Sequence, residues 1–184
     1  ERMRVITGTA RGRKLKTLEG LATRPTMEVV KEAVFSIIHF RLPYAKVLDL
    51  FAGSGQMGIE ALSRGAEKAV FVDNSKAALD VIRENIDTVG FGKQSQVVSD
   101  DAVSFLNRTK ENFDVIFLDP PYDAGFVSQV MPLLGKHLTP DGIVLFEHRK
   151  GEEMPEAAGG LTLKKRYIYG KTAVTTYVKA SPEA

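Results

Sequence analysis

Along most of this chain, short continuous apolar runs alternate with stretches in which apolar residues recur every three or four positions. The runs are 47–51, 69–72, 95–98, 115–118 and 143–146, and the clearest helical stretch is 75–89, where Leu79, Ile82, Ile86 and Val89 form one stripe. Strands that are apolar throughout, separated by helices, need cover on both faces, which a parallel sheet between two helical layers supplies. Two further β-rich segments, 161–169 and 172–179, meet at Gly170-Lys171 and predict a closing antiparallel pair. The fold class expected is therefore α/β: a doubly wound, mostly parallel sheet of seven strands, with 152–160 as an exposed loop. Ahead of it, Val5, Ile6, Leu15 and Leu18 flank a basic turn, Ala10-Arg11-Gly12-Arg13-Lys14, which reads as a loose β-hairpin. Val30, Ala33, Val34, Ile37 and Ile38 then mark an amphipathic helix capped by Thr26, with Glu28 in its first turn and its end before Pro43. Residues 1–41 are thus expected to form a hairpin-and-helix extension, and 42–184 the main α/β domain.

Composition narrows the class. With 184 residues, 43% hydrophobic and 26% charged, the chain suits one globular domain with a sizeable core rather than a disordered segment. It has no cysteine, which excludes thiolate nucleophiles, Cys-ligated metals and disulfides. No long apolar run suggests a membrane span or a signal peptide, so a cytoplasmic protein is expected, with Met3 as its natural start. The formal net charge of +2 hides a segregation. Residues 1–41 carry 9 Lys/Arg against 4 Asp/Glu, 42–160 carry 11 against 18, and 161–184 carry 5 against 1. If both basic ends fold onto one face, they make a positive field suited to a polyanion; the alternative is an ordinary solvated surface.

After the first strand comes Asp49-Leu50-Phe51-Ala52-Gly53-Ser54-Gly55-Gln56-Met57-Gly58. Gly53, Gly55 and Gly58 match G-x-G-x-x-G in its strand-turn-helix setting, and Asp73, which ends the next strand, lies 20 positions after Gly53. Such a carboxylate accepts hydrogen bonds from a ribose diol, so an adenosine-containing cofactor is expected; the alternative is that the glycines only permit helix–sheet packing. Charge distinguishes between cofactors. Asp49 at the strand mouth would repel a pyrophosphate, whereas S-adenosylmethionine brings a cationic ammonium and sulfonium that a carboxylate stabilises. Asp49 as a plain strand-end cap remains open. Asp101 and Ala102, in Ser99-Asp100-Asp101-Ala102 after the third strand, are placed at the adenine edge, with helix capping by Asp101 the competing reading.

Asp119-Pro120-Pro121-Tyr122, after the fourth strand, is the most informative stretch. Two prolines fix φ and remove two donors, leaving a rigid turn with carbonyl acceptors. An acidic side chain beside those acceptors suits an exocyclic amine, and Tyr122 offers a face for a stacked base. Accepting both N–H bonds pyramidalises an aryl amine and stabilises the charge that develops as its nitrogen attacks a methyl donor. The alternative is a rigid strand-ending turn with no ligand.

Together, Asp49 to Gly55 and Asp119 to Tyr122 resemble the class I S-adenosylmethionine-dependent methyltransferases that modify exocyclic amines, which share a Rossmann-like sheet. More specifically, the chain resembles the bacterial small-subunit ribosomal RNA guanine-N2 methyltransferase family. The supporting stretches are Ile6 to Leu15, Arg24-Pro25-Thr26 with Lys31-Glu32-Ala33 and Phe35, Glu60-Ala61-Leu62-Ser63-Arg64-Gly65-Ala66, Phe146-Glu147-His148, and Tyr169-Gly170-Lys171-Thr172. Val29, where a basic residue is expected, and Gln56-Met57, in place of smaller apolar residues, depart from the pattern.

The resemblance implies an rRNA-modifying enzyme with S-adenosyl-L-methionine as cofactor. It places Arg24, Pro25 and Thr26 near the methionine end and gives Arg11, Arg13 and Lys14 a grip on RNA. Phe51, Ala52, Ser54 and Asn74 complete the cofactor set; Asp119, Pro120, Pro121 and Tyr122 form the catalytic one. Ribosomal RNA, free or in an assembling small subunit, is the expected partner of a monomer without metal. Rival readings are an enzyme for adenine N6 or a protein glutamine, a nicotinamide-dependent oxidoreductase, and a non-catalytic RNA-binding protein. His39, His137 and His148 lack metal-ligand spacing; of the three, His148 is the candidate for lining a substrate pocket.

Overall fold

The computed structural model describes residues 3–18, 25–121 and 125–181, the side chains of Pro25 and Thr26 excepted. In chain order the elements are α1 (Pro25–Ile37), β1 (Lys46–Leu50), α2 (Gln56–Ser63), β2 (Lys68–Asp73), α3 (Lys76–Val89), β3 (Ser95–Ser99), α4 (Ala102–Arg108), β4 (Phe113–Leu118), α5 (Phe126–Leu134), β5 (Leu138–Arg149), β6 (Ala157–Ala158), β7 (Leu161–Tyr169) and β8 (Thr172–Lys179). They build one sheet in the order β3-β2-β1-β4-β5-β8-β7-β6. The five strands from β3 to β5 are mutually parallel, and β8, β7 and β6 add on antiparallel. Strand order reverses between β1 and β4, so their carboxyl ends diverge into a crevice where α/β sheets bind ligands.

Side-chain alternation decides which face each residue serves. Val47, Val115, Phe117, Ile143 and Leu145 face a core covered by α1, α2 and α3, while Leu48, Leu50, Ile116, Leu118 and Phe146 face one covered by α4 and α5. Asp49 shares the face of Val47; by the same alternation Asp119 follows Phe117 and Glu147 follows Leu145. The stripe on α3 is delimited as its sequence predicts, with the Ser75 hydroxyl accepting from the Ala78 N–H at its start and Gly90 in the left-handed region at its end.

Two expectations need correction. The sheet has eight strands rather than seven, because 152–160 contains β6, which pairs Ala157 with Thr162 and Ala158 with Leu161. A two-residue ladder rests on backbone groups and leaves no apolar alternation to read, and in the same segment Met154 is buried. The second concerns Thr26: α1 begins at Pro25, so Thr26 lies inside the first turn and is not the cap. Proline is favoured there because its fixed φ suits a helix and its missing N–H would have had no intrahelical partner. Residues 3–15 form the loose antiparallel hairpin expected, a clasp with one bridge between Arg4 and Lys14. Val5 N–H donates to Arg13 O at 2.9 Å and Leu15 N–H to Met3 O at 2.8 Å, while Met3, Val5, Ala10 and Leu15 are buried in the α1–α3 core.

Candidate active site

The turn after β1 is held in an unusual backbone conformation. Phe51, Gly53 and Gly55 all have positive φ, at 62°, 60° and 80°, and for Phe51 this is strained. Gly58 answers a different need: a Cβ there would stand 2.4 Å from the Phe71 ring, so only glycine lets α2 lie this close to β2. Asp73 ties the turn to the next strand, its Oδ2 accepting from Gly53 N–H at 3.0 Å and its Oδ1 from Ser75 N–H at 2.9 Å. A carboxylate offers about four lone-pair sites, so Asp73 keeps acceptor capacity toward the crevice. Beside it opens a cavity of about 200 Å³ lined by Phe51, Asp73, Asn74, Asp101, Ala102 and Phe126 among others. Phe51 and Phe126 meet edge to face at 5.0 Å between ring centres. Asp101 caps α4, accepting from Ser104 N–H at 2.9 Å, and this bond holds its carboxyl below the ordinary range.

A second cavity lies across the mouths of β1, β4 and β5, under α1. Its wall includes Lys31, Asp49, Gln56, Asp119, Glu147 and Val174. Asp49 is 3% exposed and accepts from Gly58 N–H at 3.0 Å. Burial pushes its carboxyl up to about 8, despite that hydrogen bond, with Asp119 and Asp73 adding to the rise. Asp119 is open to solvent on one side, yet the protein around it and Glu147 beside it define a shared acidic site. The register of β4 on β5 pairs Leu118 with Phe146, so residues 119 and 147 stand level. Desolvation, with the charge of Asp119 adding to it, pushes the Glu147 carboxyl up to about 9. Pro120 is buried and Pro121 exposed beyond them.

A third cluster anchors the N-terminal clasp. Glu60 on α2 is 0% exposed and accepts from Ile6 N–H at 2.8 Å, Thr7 N–H at 3.0 Å and Arg64 Nε at 2.9 Å, with Lys31 Nζ at 3.3 Å. Lys31 also donates to Arg4 O at 3.0 Å, and burial lowers its basicity against the pull of Glu60. Thr9 N–H reaches Ser63 O at 2.8 Å, and a Cβ on Gly8 would stand 1.8 Å from that oxygen. Asn85 of α3 joins clasp to glycine turn: its Nδ2 donates to Lys16 O and to Ser54 O, both at 2.9 Å, and its Oδ1 accepts from Lys16 N–H at 2.7 Å.

The structure thus gathers Asp49, Gly53, Gly55, Gly58, Asp73 and Asp119 around one crevice. Arg11, Arg13 and Lys14 are exposed on the clasp, where Arg13 donates to the carbonyl of Thr88. Arg24 and Tyr122 lie outside the described residues. His148 does not reach the acidic cavity; it is buried between β5 and β8, with Nε2 2.6 Å from Thr175 Oγ1. His137 is committed to the carbonyls of Leu106 and Glu111, and His39 is exposed. Sequence reading passed over Phe126, Glu147, Lys31 and Glu60 as site residues. For Glu147 the available signal was its place at the end of an apolar run, as for Asp119. Among the described residues no cluster of three metal-ligating side chains occurs, and no helix is long and apolar enough to cross a membrane.

Comparison with known proteins agrees with this arrangement. The family model described as conserved hypothetical protein 95 matches residues 3–178. YlbH of Bacillus subtilis, provisionally named an rRNA methyltransferase, is 40% identical over 182 residues, covering 96% of this chain and 99% of that protein. Ribosomal RNA small subunit methyltransferase D of Haemophilus influenzae is 33% identical over 169 residues, covering 89% of this chain and 88% of its own length. The solved structure of yhhF from Escherichia coli superposes with a TM-score of 0.87 at 31% identity, covering 97% of this chain and 98% of that one. With glycine turn, acidic mouth and clasp all inside the matched span, the chain belongs to the conserved hypothetical protein 95 family, that of the small-subunit ribosomal RNA methyltransferase D proteins.

Proposed function

We propose that this protein transfers a methyl group from S-adenosyl-L-methionine to the exocyclic N2 amine of a guanine in small-subunit ribosomal RNA. The observation that carries the reading is the juxtaposition of Asp119, at the head of its Pro-Pro turn, with the buried Asp49 in a cavity beside the glycine turn. The names of the relatives supply the rRNA substrate class.

The residues present fit the cofactor. Asp73 stands where a ribose diol would sit, and Phe51 and Phe126 offer apolar faces for a purine. Ala52, Ser54 and Asn74 belong to the same turns, and Asp101 and Ala102 edge the purine side. Asp49 is a buried carboxyl with one backbone donor and a raised affinity for protons, which a cationic ligand group would satisfy. When bound, the cofactor supplies an electrophilic methyl on a sulfonium. Asp119 accepts an amine N–H and holds the nitrogen lone pair toward the methyl; Pro120 and Pro121 keep that acceptor rigid, and Tyr122 stacks the base. Positioning and exclusion of water supply most of the rate. A guanine must be splayed from a loop or bulge to enter. Arg24, Pro25 and Thr26 are assigned to the methionine end, and Arg11, Arg13 and Lys14 to RNA phosphates. In this reading 1–41 is the RNA-gripping extension, 42–184 the catalytic domain, and the protein acts as a cytoplasmic monomer.

The test is methyl transfer from labelled S-adenosylmethionine to small-subunit rRNA isolated from cells lacking this protein, followed by nucleoside mass analysis. N2-methylguanosine at one position is expected. N6-methyladenosine, or transfer only to protein glutamine, would overturn the substrate assignment.

A further inference from the structure

Asp119 and Glu147 form a pair that the amine chemistry alone does not require. They end neighbouring strands, stand level through the Leu118–Phe146 register, project from the same face, and line one cavity. The other charged groups in its wall are Asp49 from β1 and Lys31 from α1; β8 contributes Val174. Lys31 is committed to Glu60 and to the carbonyl of Arg4, so it does not neutralise the pair. The register and the shared cavity set the two carboxyls side by side, and burial favours the protonated form of each. Once both are ionised, the pair presents two adjacent acceptors and no donor.

Among the standard RNA bases, two adjacent donors on the pairing edge belong to guanine alone, at N1–H and the N2 amine. Adenine and cytosine each place a ring acceptor beside their amine. We propose that Glu147 is a specificity-determining residue, accepting the N1–H of the target guanine while Asp119 accepts from the N2 amine, so that a base with a ring acceptor at that position is rejected. This rests on the guanine-N2 reading above and adds the group that selects the base. Any proton the pair holds leaves to solvent when guanine binds, because both carboxyls must then accept. Guanine fills both acceptors of the ionised pair, whereas a base with a ring acceptor at N1 leaves an ionised Glu147 unfilled.

The experiment uses an RNA carrying the mapped target, and a second RNA with 2-aminopurine at that position, which keeps the 2-amine but has a bare lone pair at N1. Single-turnover methyl transfer is measured for the wild-type protein and for Glu147→Gln. Wild type should favour guanine by on the order of 10² or more. In Glu147→Gln the carboxamide can turn its NH₂ toward N1, so the preference should shrink at least about tenfold, chiefly because 2-aminopurine improves. A merely structural role for Glu147 would slow both substrates equally; an unchanged ratio overturns the proposal, as does wild-type protein that methylates both equally well. Failure of the underlying reading looks different: wild-type protein would then not methylate guanine N2 at all.

Discussion

Two groups of acids lie close together in this molecule, and their surroundings treat them in opposite ways. Glu60, beneath the clasp, is enclosed by two backbone N–H groups, an arginine and a lysine. Asp49, Asp119 and Glu147, at the strand mouths, have one another and the N–H of Gly58. A carboxylate whose lone pairs are filled by donors is structural, because taking any partner away leaves a buried charge uncompensated. A set of carboxyls short of donors resists ionisation and is poised for donors brought by a ligand. The difference separates the residues that hold the clasp from those left open to a ligand, although Lys31 borders both.

The sharpest way to break the contrast is at Glu60. Glu60→Ala should destabilise the fold by roughly 3–5 kcal/mol, the usual cost of breaking a buried ion pair, measurable by urea unfolding. A loss under about 1 kcal/mol would return Glu60 to ordinary helix surface. At the mouth the pattern should invert. Asp119→Ala should leave stability within about 0.5 kcal/mol but cut single-turnover methyl transfer by roughly 10²–10³. Asp119→Asn keeps one acceptor and should retain measurable turnover; equal inactivity of the two variants would make Asp119 a required base instead.

Asp49 gives a subtler test. Its carboxyl is raised to about 8 in the folded protein, against an ordinary value of 3.8, so its contribution to stability is full below about pH 4 and drains away as pH rises through 8. Asp49→Asn should therefore be more stable than wild type at pH 8 by on the order of 1–3 kcal/mol, the two converging near pH 4. Parallel stability curves for the two proteins across that window would remove Asp49 from the uncompensated group. The smallest effect lies at the surface. Neutralising Arg11, Arg13 and Lys14 together should leave cofactor affinity unchanged and flatten the salt dependence of RNA binding by roughly 0.7 log unit per lost phosphate contact. An unaltered slope would make the clasp a purely structural device.

What sequence reading recovered, and what it missed, follows from locality. The glycine turn and the Asp119 turn are contiguous motifs whose backbone demands are written into adjacent residues, and α3 announces itself by its own stripe and caps. Glu147 becomes a neighbour of Asp119 only because β5 lies beside β4, and pairing between strands leaves no mark on either one. Glu60 was legible as part of a family-like stretch, but its partners at Ile6 and Thr7 are 54 and 53 residues away. The clasp was legible as a loose hairpin, but its bonds to Glu60, Ser63 and Asn85 on distant helices left no local mark. Phe126 followed a segment with no periodic signal and came into view only against Phe51.

The long reach of the clasp also orders events during synthesis. Residues 3–16 leave the ribosome well before their partners Glu60, Ser63 and Asn85, which follow 53 to 69 positions later. The opening segment must therefore wait, unpaired and basic, until α3 has been made, and loop closure over such a distance precedes any reward from the contacts it forms. Because Asn85 joins Lys16 to Ser54, the glycine turn receives its last support in the same step. The crevice is thus completed by a segment made before it rather than after.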